Sequence, residues 1–202
     1  MSRNLIGILR GVRPEEAVEI ATAVLVAGID RIEVPLNSPD PFESIQRIAS
    51  AIGDRALVGA GTVLSVEDVD QVARAGGKLI VSPNCDVDVI KASRQAGLQS
   101  WPGVLTPTEC FAALKAGADG LKFFPAGLVG TDGVKAMRAV LPKDTQIYAV
   151  GGAGPDNFAD WLAAGCNGFG IGSALYKAGM PVNEIGKRAV DIVAAFDAAV
   201  RR

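Results

Sequence analysis

Lys122 lies in an apolar run, Gly120-Leu121-Lys122-Phe123-Phe124-Pro125, that reads as a strand. Alternation puts Lys122 and Phe124 on one face and Leu121 and Phe123 on the other. If the second face packs beneath helices, Lys122 points inward. Desolvation there lowers an amine's pKa and makes it a nucleophile near neutrality. A lysine at a strand end that reaches back to solvent explains the residue equally well. Glu33 has a matching context in Arg31-Ile32-Glu33-Val34-Pro35-Leu36-Asn37, where Ile32, Val34 and Leu36 share one face and Glu33, Pro35 and Asn37 the other. A carboxylate in such a run is costly unless it is partnered or used. The alternative is an edge-strand glutamate facing water. Two titratable groups on two buried-looking strands favour a functional reading. Arg10 closes the run Ile6-Gly7-Ile8-Leu9-Arg10. It can grip a carboxylate or phosphate bidentately, or form a structural ion pair with Glu33.

What the chain lacks narrows the chemistry. Its 202 residues include no histidine. Ser-His-Asp and Cys-His catalysis, histidine bases and most zinc sites are thereby excluded. Acid–base work falls to carboxylate, lysine, tyrosine or cysteine. Cys85, Cys110 and Cys166 are far apart and odd in number. They read as reduced thiols of a cytoplasmic protein, packed as small hydrophobes. Asp68 with Asp70, and Asp86 with Asp88, have suggestive spacing, but helix caps explain them better than a metal site. The other seven lysines sit in helical or loop patterns and read as solvated. A net charge of −2 without a basic block disfavours nucleic acid. Trp101, Phe111, Phe123 and Phe124 read as core rather than as a stacking platform for bases. The apolar stretches are too short to span a bilayer, and the N-terminal one is too short for a signal peptide.

The glycines suggest where a ligand sits. Gly59-Ala60-Gly61-Thr62 ends one strand and leaves a hydroxyl beyond it. Gly151-Gly152-Ala153-Gly154-Pro155-Asp156 follows another, and Gly168-Phe169-Gly170-Ile171-Gly172-Ser173 ends the last. Gly-rich loops let backbone N–H groups approach an anion closely. The last run is no dinucleotide fingerprint, because no further βα half and no ribose-binding acid follow it.

These residues need a scaffold that gathers strand ends. β-rich apolar runs at 5–10, 31–36, 56–63, 79–83, 99–104, 120–124, 146–150 and 168–171 alternate with segments of helical period. The latter include 14–27, 66–75, 87–96, 107–116 and 157–164. Several starts are marked by Pro, Ser or Thr with acidic residues close behind, as at Pro14, Ser65, Thr106-Pro107 and Gly154-Pro155. Ala-Gly endings recur at Gly28, Gly76, Gly97, Gly117 and Gly165, which predicts left-handed caps. The βα repeat of about 25 residues demands parallel strands and right-handed crossovers. Eight units predict one α/β domain over 1–202, a compact (β/α)8 TIM barrel, with an open doubly wound sheet as the alternative. Paired glycine loops after the seventh and eighth strands are where this barrel usually binds phosphate.

Ile32-Glu33-Val34-Pro35-Leu36-Asn37-Ser38-Pro39, Gly59-Ala60-Gly61-Thr62-Val63-Leu64, Ser82-Pro83-Asn84, Leu121-Lys122-Phe123-Phe124-Pro125, Val150-Gly151-Gly152 and Gly172-Ser173 together resemble the 2-keto-3-deoxy-6-phosphosugar aldolases. The resemblance runs in order over nearly the whole chain. It implies a class I aldolase of (β/α)8 fold with no metal and no organic cofactor. Lys122 is implied as the Schiff-base lysine and Glu33 as the general acid/base. Arg10 and Thr62 are implied at the carboxylate and ketone end of the substrate. Gly151, Gly152, Gly172 and Ser173 fall at the phosphate, with Asn37 and Phe124 as further substrate contacts. Asn37-Ser38-Pro39, Arg10-Gly11 and Val150 resemble the 6-phosphogalactonate branch more than the 6-phosphogluconate branch. That implies a phosphorylated 2-keto-3-deoxy sugar acid as substrate, pyruvate and glyceraldehyde 3-phosphate as products, and Val150 as a determinant of stereochemistry. The resemblance also implies a homotrimer. A 6-phosphogluconate or 4-hydroxy-2-oxoglutarate aldolase, a phosphosugar isomerase or epimerase, and a phosphometabolite-binding barrel without chemistry are the alternatives.

Overall fold

In the computed structural model, which describes residues 2–201, strands and helices alternate from end to end. The strands are β1 (Leu5–Ile8), β2 (Arg31–Pro35), β3 (Leu57–Gly61), β4 (Leu79–Val81), β5 (Gln99–Trp101), β6 (Gly103–Val104), β7 (Leu121–Phe123), β8 (Ile147–Val150) and β9 (Gly168–Ile171). The helices are α1 (Pro14–Ala27), α2 (Pro41–Ile52), α3 (Val66–Arg74), α4 (Val87–Gln95), α5 (Pro107–Ala116), α6 (Ala126–Arg138), α7 (Phe158–Ala163) and α8 (Val182–Val200). The strands form one parallel sheet in the order β5-β4-β3-β2-β1-β9-β8-β7-β6. An open doubly wound sheet reverses its strand order at a switch point. This order does not reverse, and its two ends are neighbours in sequence.

Nine strands where the sequence predicts eight reflects a single residue. Pro102 has no N–H to give to a ladder and splits the run 99–104 into β5 and β6. The wall stays closed across it. Gly103 N donates to Asn84 O at 3.2 Å on one side, and Lys122 N donates to Pro102 O at 2.9 Å on the other. The architecture is therefore an eight-run TIM-type barrel. The predicted helix punctuation is present. Ser65 and Thr106 accept from the backbone N–H groups of Asp68 and Glu109 in reciprocal capping boxes. Gly28, Gly76, Gly97, Gly117 and Gly165 all have positive φ. Asp86 caps α4 through the N–H groups of Asp88 and Val89. Among the described residues no helix is long and apolar enough to cross a membrane, and no cluster of His, Cys, Asp or Glu is placed to hold a metal.

The two faces of the wall bury separate apolar clusters. Leu121, Phe123, Ile32, Val34, Val58 and Ile80 pack outward under the helices. Ile6, Leu79, Val81, Trp101 and Tyr148 fill the interior. Large inner side chains are accommodated by inner glycines. A Cβ on Gly120 would stand 2.3 Å from the Trp101 ring, and one on Gly168 would stand 2.2 Å from the Asn4 carbonyl oxygen and 2.7 Å from the Tyr148 ring. Tyr148 packs on Trp101 at 4.3 Å between centroids and accepts a hydrogen bond from Arg31 at 2.5 Å. Of the aromatics expected in the core, Trp101 and Phe123 are buried there. Phe111 is not. It is 46% exposed, because it lies on the outer face of α5, opposite buried Cys110 and Ala113. Cys110 and Cys166 are buried thiols, whereas Cys85 is only partly covered.

Overpacking a filled barrel is expected to cost about 1–3 kcal/mol per site, so Gly120→Ala and Gly168→Ala should each lower the urea midpoint by that equivalent. Gly154→Ala is the control. No atom lies within 4 Å of its added Cβ, and its midpoint should stay the same or rise slightly.

Candidate active site

Glu33 and Lys122 both face the barrel interior. Their strand neighbours Ile32, Val34, Leu121 and Phe123 are committed to the outer layer. Glu33 lies beside Ile8 of β1 and Gly59 of β3, and Lys122 beside Gly103 of β6 and Tyr148 of β8. Only 2% of Glu33 and 7% of Lys122 is exposed, which removes both the edge-strand and the solvent-reaching explanations. The Glu33 carboxyl rests against the Cα of Gly61, so any side chain there would occupy its place. Its Oε2 is buried without a hydrogen-bond partner among the described residues. An unpaired buried oxygen of this kind points to a ligand or a proton that the protein does not supply.

Burial pushes the Glu33 pKa up to about 7, against the opposing pull of Lys122 and Arg10. Burial also lowers the Lys122 pKa. The Glu33 carboxylate resists that shift and Arg10 adds to it. Arg10 thus favours the deprotonated form of both groups. It biases the pair toward a carboxylate and a neutral amine, the combination that base-assisted nucleophilic attack needs. The Lys122 Nζ stands 4.6 Å over the Phe124 ring centroid.

Phe124 also lines a cavity of about 460 Å³ at the ends of β1, β8 and β9. Arg10, Val150, Gly151, Gly152, Gly172 and Ser173 line it as well. Seven of the residues singled out in the sequence therefore share one cavity; Lys122 and Glu33 do not line it, and the Phe124 ring connects it to the lysine. Gly151 and Gly152, at φ 79° and 101°, turn the loop after β8 so that its backbone faces the cavity. Asn157 pins that loop, accepting from Gly154 N at 2.9 Å and donating to Gly152 O at 3.0 Å. This clasp delays α7 to Phe158, later than the Gly154-Pro155 signal suggests.

Thr62 and Asn37 do not line the cavity. Thr62 is half-buried just past Gly61, with φ 56°. Exposed Asn37 accepts a 2.6 Å hydrogen bond from Arg10 Nη1, so Arg10 is tied to the neighbouring loop rather than paired with Glu33. Tyr176 and Lys177 line the cavity and escaped the sequence reading. Tyr176 OH donates to Glu16, a contact across 160 residues that leaves no local pattern. Lys177 follows the Gly172-Ser173 strand end closely, and that proximity was the available signal.

The chain matches a family model described as KDPG and KHG aldolase over residues 2–191. It is 50% identical over 198 residues to a Rhizobium meliloti protein named "Probable 2-dehydro-3-deoxy-6-phosphogalactonate aldolase", covering 98% of this chain and 93% of that one. It is 49% identical to the Escherichia coli 2-dehydro-3-deoxy-6-phosphogalactonate aldolase, covering 98% of this chain and 96% of that one. A solved structure described as native KDPGal superposes with a TM-score of 0.98 at 48% identity, covering 100% of this chain and 98% of that one.

The Glu33 shift has a consequence for stability. Its pKa rises on folding from 4.5 to about 7. The folded state therefore holds the proton more tightly, and stability present below the lower value is lost as pH rises through the upper one. Glu33→Gln does not titrate. Its stability relative to wild type should grow by on the order of 3 kcal/mol between about pH 4 and about pH 8. Urea unfolding at a series of pH values measures this, and a flat difference would contradict the assigned environment.

Proposed function

This chain belongs to the KDPG and KHG aldolase family, and on that premise we propose that it is a class I aldolase cleaving 2-dehydro-3-deoxy-6-phosphogalactonate to pyruvate and D-glyceraldehyde 3-phosphate. The observation that carries the reading is a buried lysine and a buried carboxylate facing one barrel interior, with Lys122 lowered and Glu33 raised in pKa. Identity near one half over almost the whole length to two relatives named for the galactonate substrate supports that branch.

Neutral Lys122 attacks the C2 carbonyl and forms a carbinolamine. Loss of water gives a protonated imine, which accepts electrons far better than a ketone does. Glu33 takes the proton of the C4 hydroxyl. The C4 oxygen re-forms a carbonyl, the C3–C4 bond breaks, and its electron pair moves through C2 to the imine nitrogen as an enamine. The phosphorylated aldehyde leaves. Protonated Glu33 returns its proton to C3, and water hydrolyses the imine to free pyruvate and Lys122. One carboxylate serves each proton transfer at carbon and at the C4 hydroxyl, which fits a chain without histidine. Arg10 and Thr62 would hold the carboxylate and ketone end. The glycine-lined cavity would hold the phosphate. Its binding energy, realised far from the breaking bond, would align the reacting carbons.

We place the enzyme in the cytoplasm, where its three free thiols stay reduced, and in the breakdown of galactonate. We also propose a homotrimer. Leu64, Leu105 and Leu128 are 53%, 41% and 76% exposed, apolar surface that an interface would cover. Sedimentation should return the mass of three chains, and a monomer would overturn that assembly.

The test of the chemistry is borohydride reduction in the presence of pyruvate, followed by peptide mass spectrometry. The expected product is a reduced pyruvyl adduct on Lys122, absent in Lys122→Met, whose turnover should fall to background. An adduct elsewhere, or none while pyruvate binds, would leave a phosphate-binding barrel without imine chemistry. Parallel assays on the two C4 epimers should favour the galactonate substrate.

A further inference from the structure

The cavity beside Lys122 has two cationic side chains in its wall, Arg10 and Lys177, and no carboxylate. Arg10 is already engaged. Its guanidinium donates to Asn37, and its charge acts on both Glu33 and Lys122. It therefore acts on the reacting pair as well as lining the cavity. Lys177 makes no ion pair and no side-chain hydrogen bond among the described residues. Lys177 is exposed at the edge of the cavity, so its ammonium is free to meet an anion that enters.

The backbone holds Lys177 in place. Met180 N donates to Lys177 O at 3.1 Å, and Gly179, at φ 81°, supplies the left-handed residue of that turn. Tyr176 OH, immediately before it, donates to Glu16 on α1. The β-carbon of Ala178, immediately after it, lies 3.3 Å from where a side chain on Gly11 would begin. The residues flanking Lys177 are thus anchored to the α1 side of the barrel, next to Arg10. Glycine amides alone can hydrogen-bond a phosphate dianion, but they do not neutralise it. An ammonium does so as a compact point charge.

We propose that Lys177 is a specificity-determining residue that neutralises the terminal phosphate of the substrate and so selects phosphorylated over unphosphorylated 2-keto-3-deoxy acids. This deepens the aldolase reading and rests on it. It adds an ammonium from the turn after β9 to the cavity that Arg10 also lines.

The experiment compares wild type, Lys177→Gln and Lys177→Arg on the phosphorylated substrate and on its unphosphorylated counterpart, at low and high salt. In Lys177→Gln, KM for the phosphorylated substrate should rise about 10-fold with kcat nearly unchanged, the size expected for one charge-assisted contact. Kinetics on the unphosphorylated substrate should stay within about 2-fold, and the salt dependence of KM should flatten. Lys177→Arg should restore most of the loss. Unchanged KM, or equal loss on both substrates, would overturn the proposal. Binding of inorganic phosphate by calorimetry separates this failure from failure of the aldolase reading. If wild type forms no pyruvyl adduct, the aldolase reading falls, and weaker phosphate binding in Lys177→Gln would still assign the charge to Lys177. Equal phosphate binding by both proteins would remove that assignment as well.

Discussion

Keeping an amine and a carboxyl dry inside one barrel is the demand that shapes the rest of the molecule. Burial penalises the charged form of each, raising the carboxyl and lowering the amine. Left to itself the pair would settle as two neutral groups, or as an ion pair whose attraction offsets part of the desolvation. The ion pair has no free amine to attack a carbonyl, and the doubly neutral pair has the amine but no base for the C4 hydroxyl. Arg10 changes the balance from outside, because its fixed charge favours proton loss from both partners. With Arg10 included, a carboxylate and a neutral lysine leave the local charge near zero. The two protons belong to the pair rather than to either residue, so its titration is a joint property.

The fold can be understood as the means of meeting this demand. Strands of three to five residues suffice for most of the wall because each inner side chain has a defined neighbour across the barrel. Trp101, Tyr148, Leu79 and Val81 fill the interior and exclude water. Gly61 leaves room for the carboxyl of Glu33, and Gly120 and Gly168 leave room for the aromatic rings. The sheet is parallel throughout, so every strand presents its C-terminal end to one face. Residues as distant in sequence as Arg10, Phe124, Gly152 and Ser173 thereby meet at a single cavity. Such convergence is the property that lets this architecture carry chemistry on its loops.

Alternation and helix punctuation made most of this readable in the sequence. Leu121 and Phe123 against Lys122, and Ile32 and Val34 against Glu33, are period-two patterns, and the structure keeps both. What escaped were contacts between segments far apart in the chain. The split at Pro102 depends on how the flanking strands bond around it. The Arg10–Asn37 hydrogen bond joins the loops after β1 and β2. The exposure of Phe111 depends on what α5 packs against. Lys177 is exposed, as the sequence suggests, and only the fold shows that the turn carrying it borders the cavity. Asn157 differs in that its partners are local, and a Gly-Pro-Asp-Asn run can be read as a side-chain clasp.

The division of the substrate between two anchors bears on how stereochemistry is decided. In the proposed reaction one end is fixed covalently at Lys122 and the other by the phosphate in the glycine-lined cavity. The carbons between them then have little freedom. The C4 hydroxyl must point at Glu33 for the bond to break, so its configuration determines where the hydrogen on C4 goes and which wall it meets. Val150 belongs to that wall and is 8% exposed, with no polar atom in its side chain. A valine there offers no hydrogen bond to a hydroxyl of the wrong hand. A threonine of nearly the same volume would offer one. On the proposed reading, a single methyl-for-hydroxyl difference there would change the preferred epimer without moving the lysine, the carboxylate or the phosphate cavity. In this proposal the chemistry is built into the barrel wall, whereas the choice of sugar would fall to Val150, a side chain in the cavity lining.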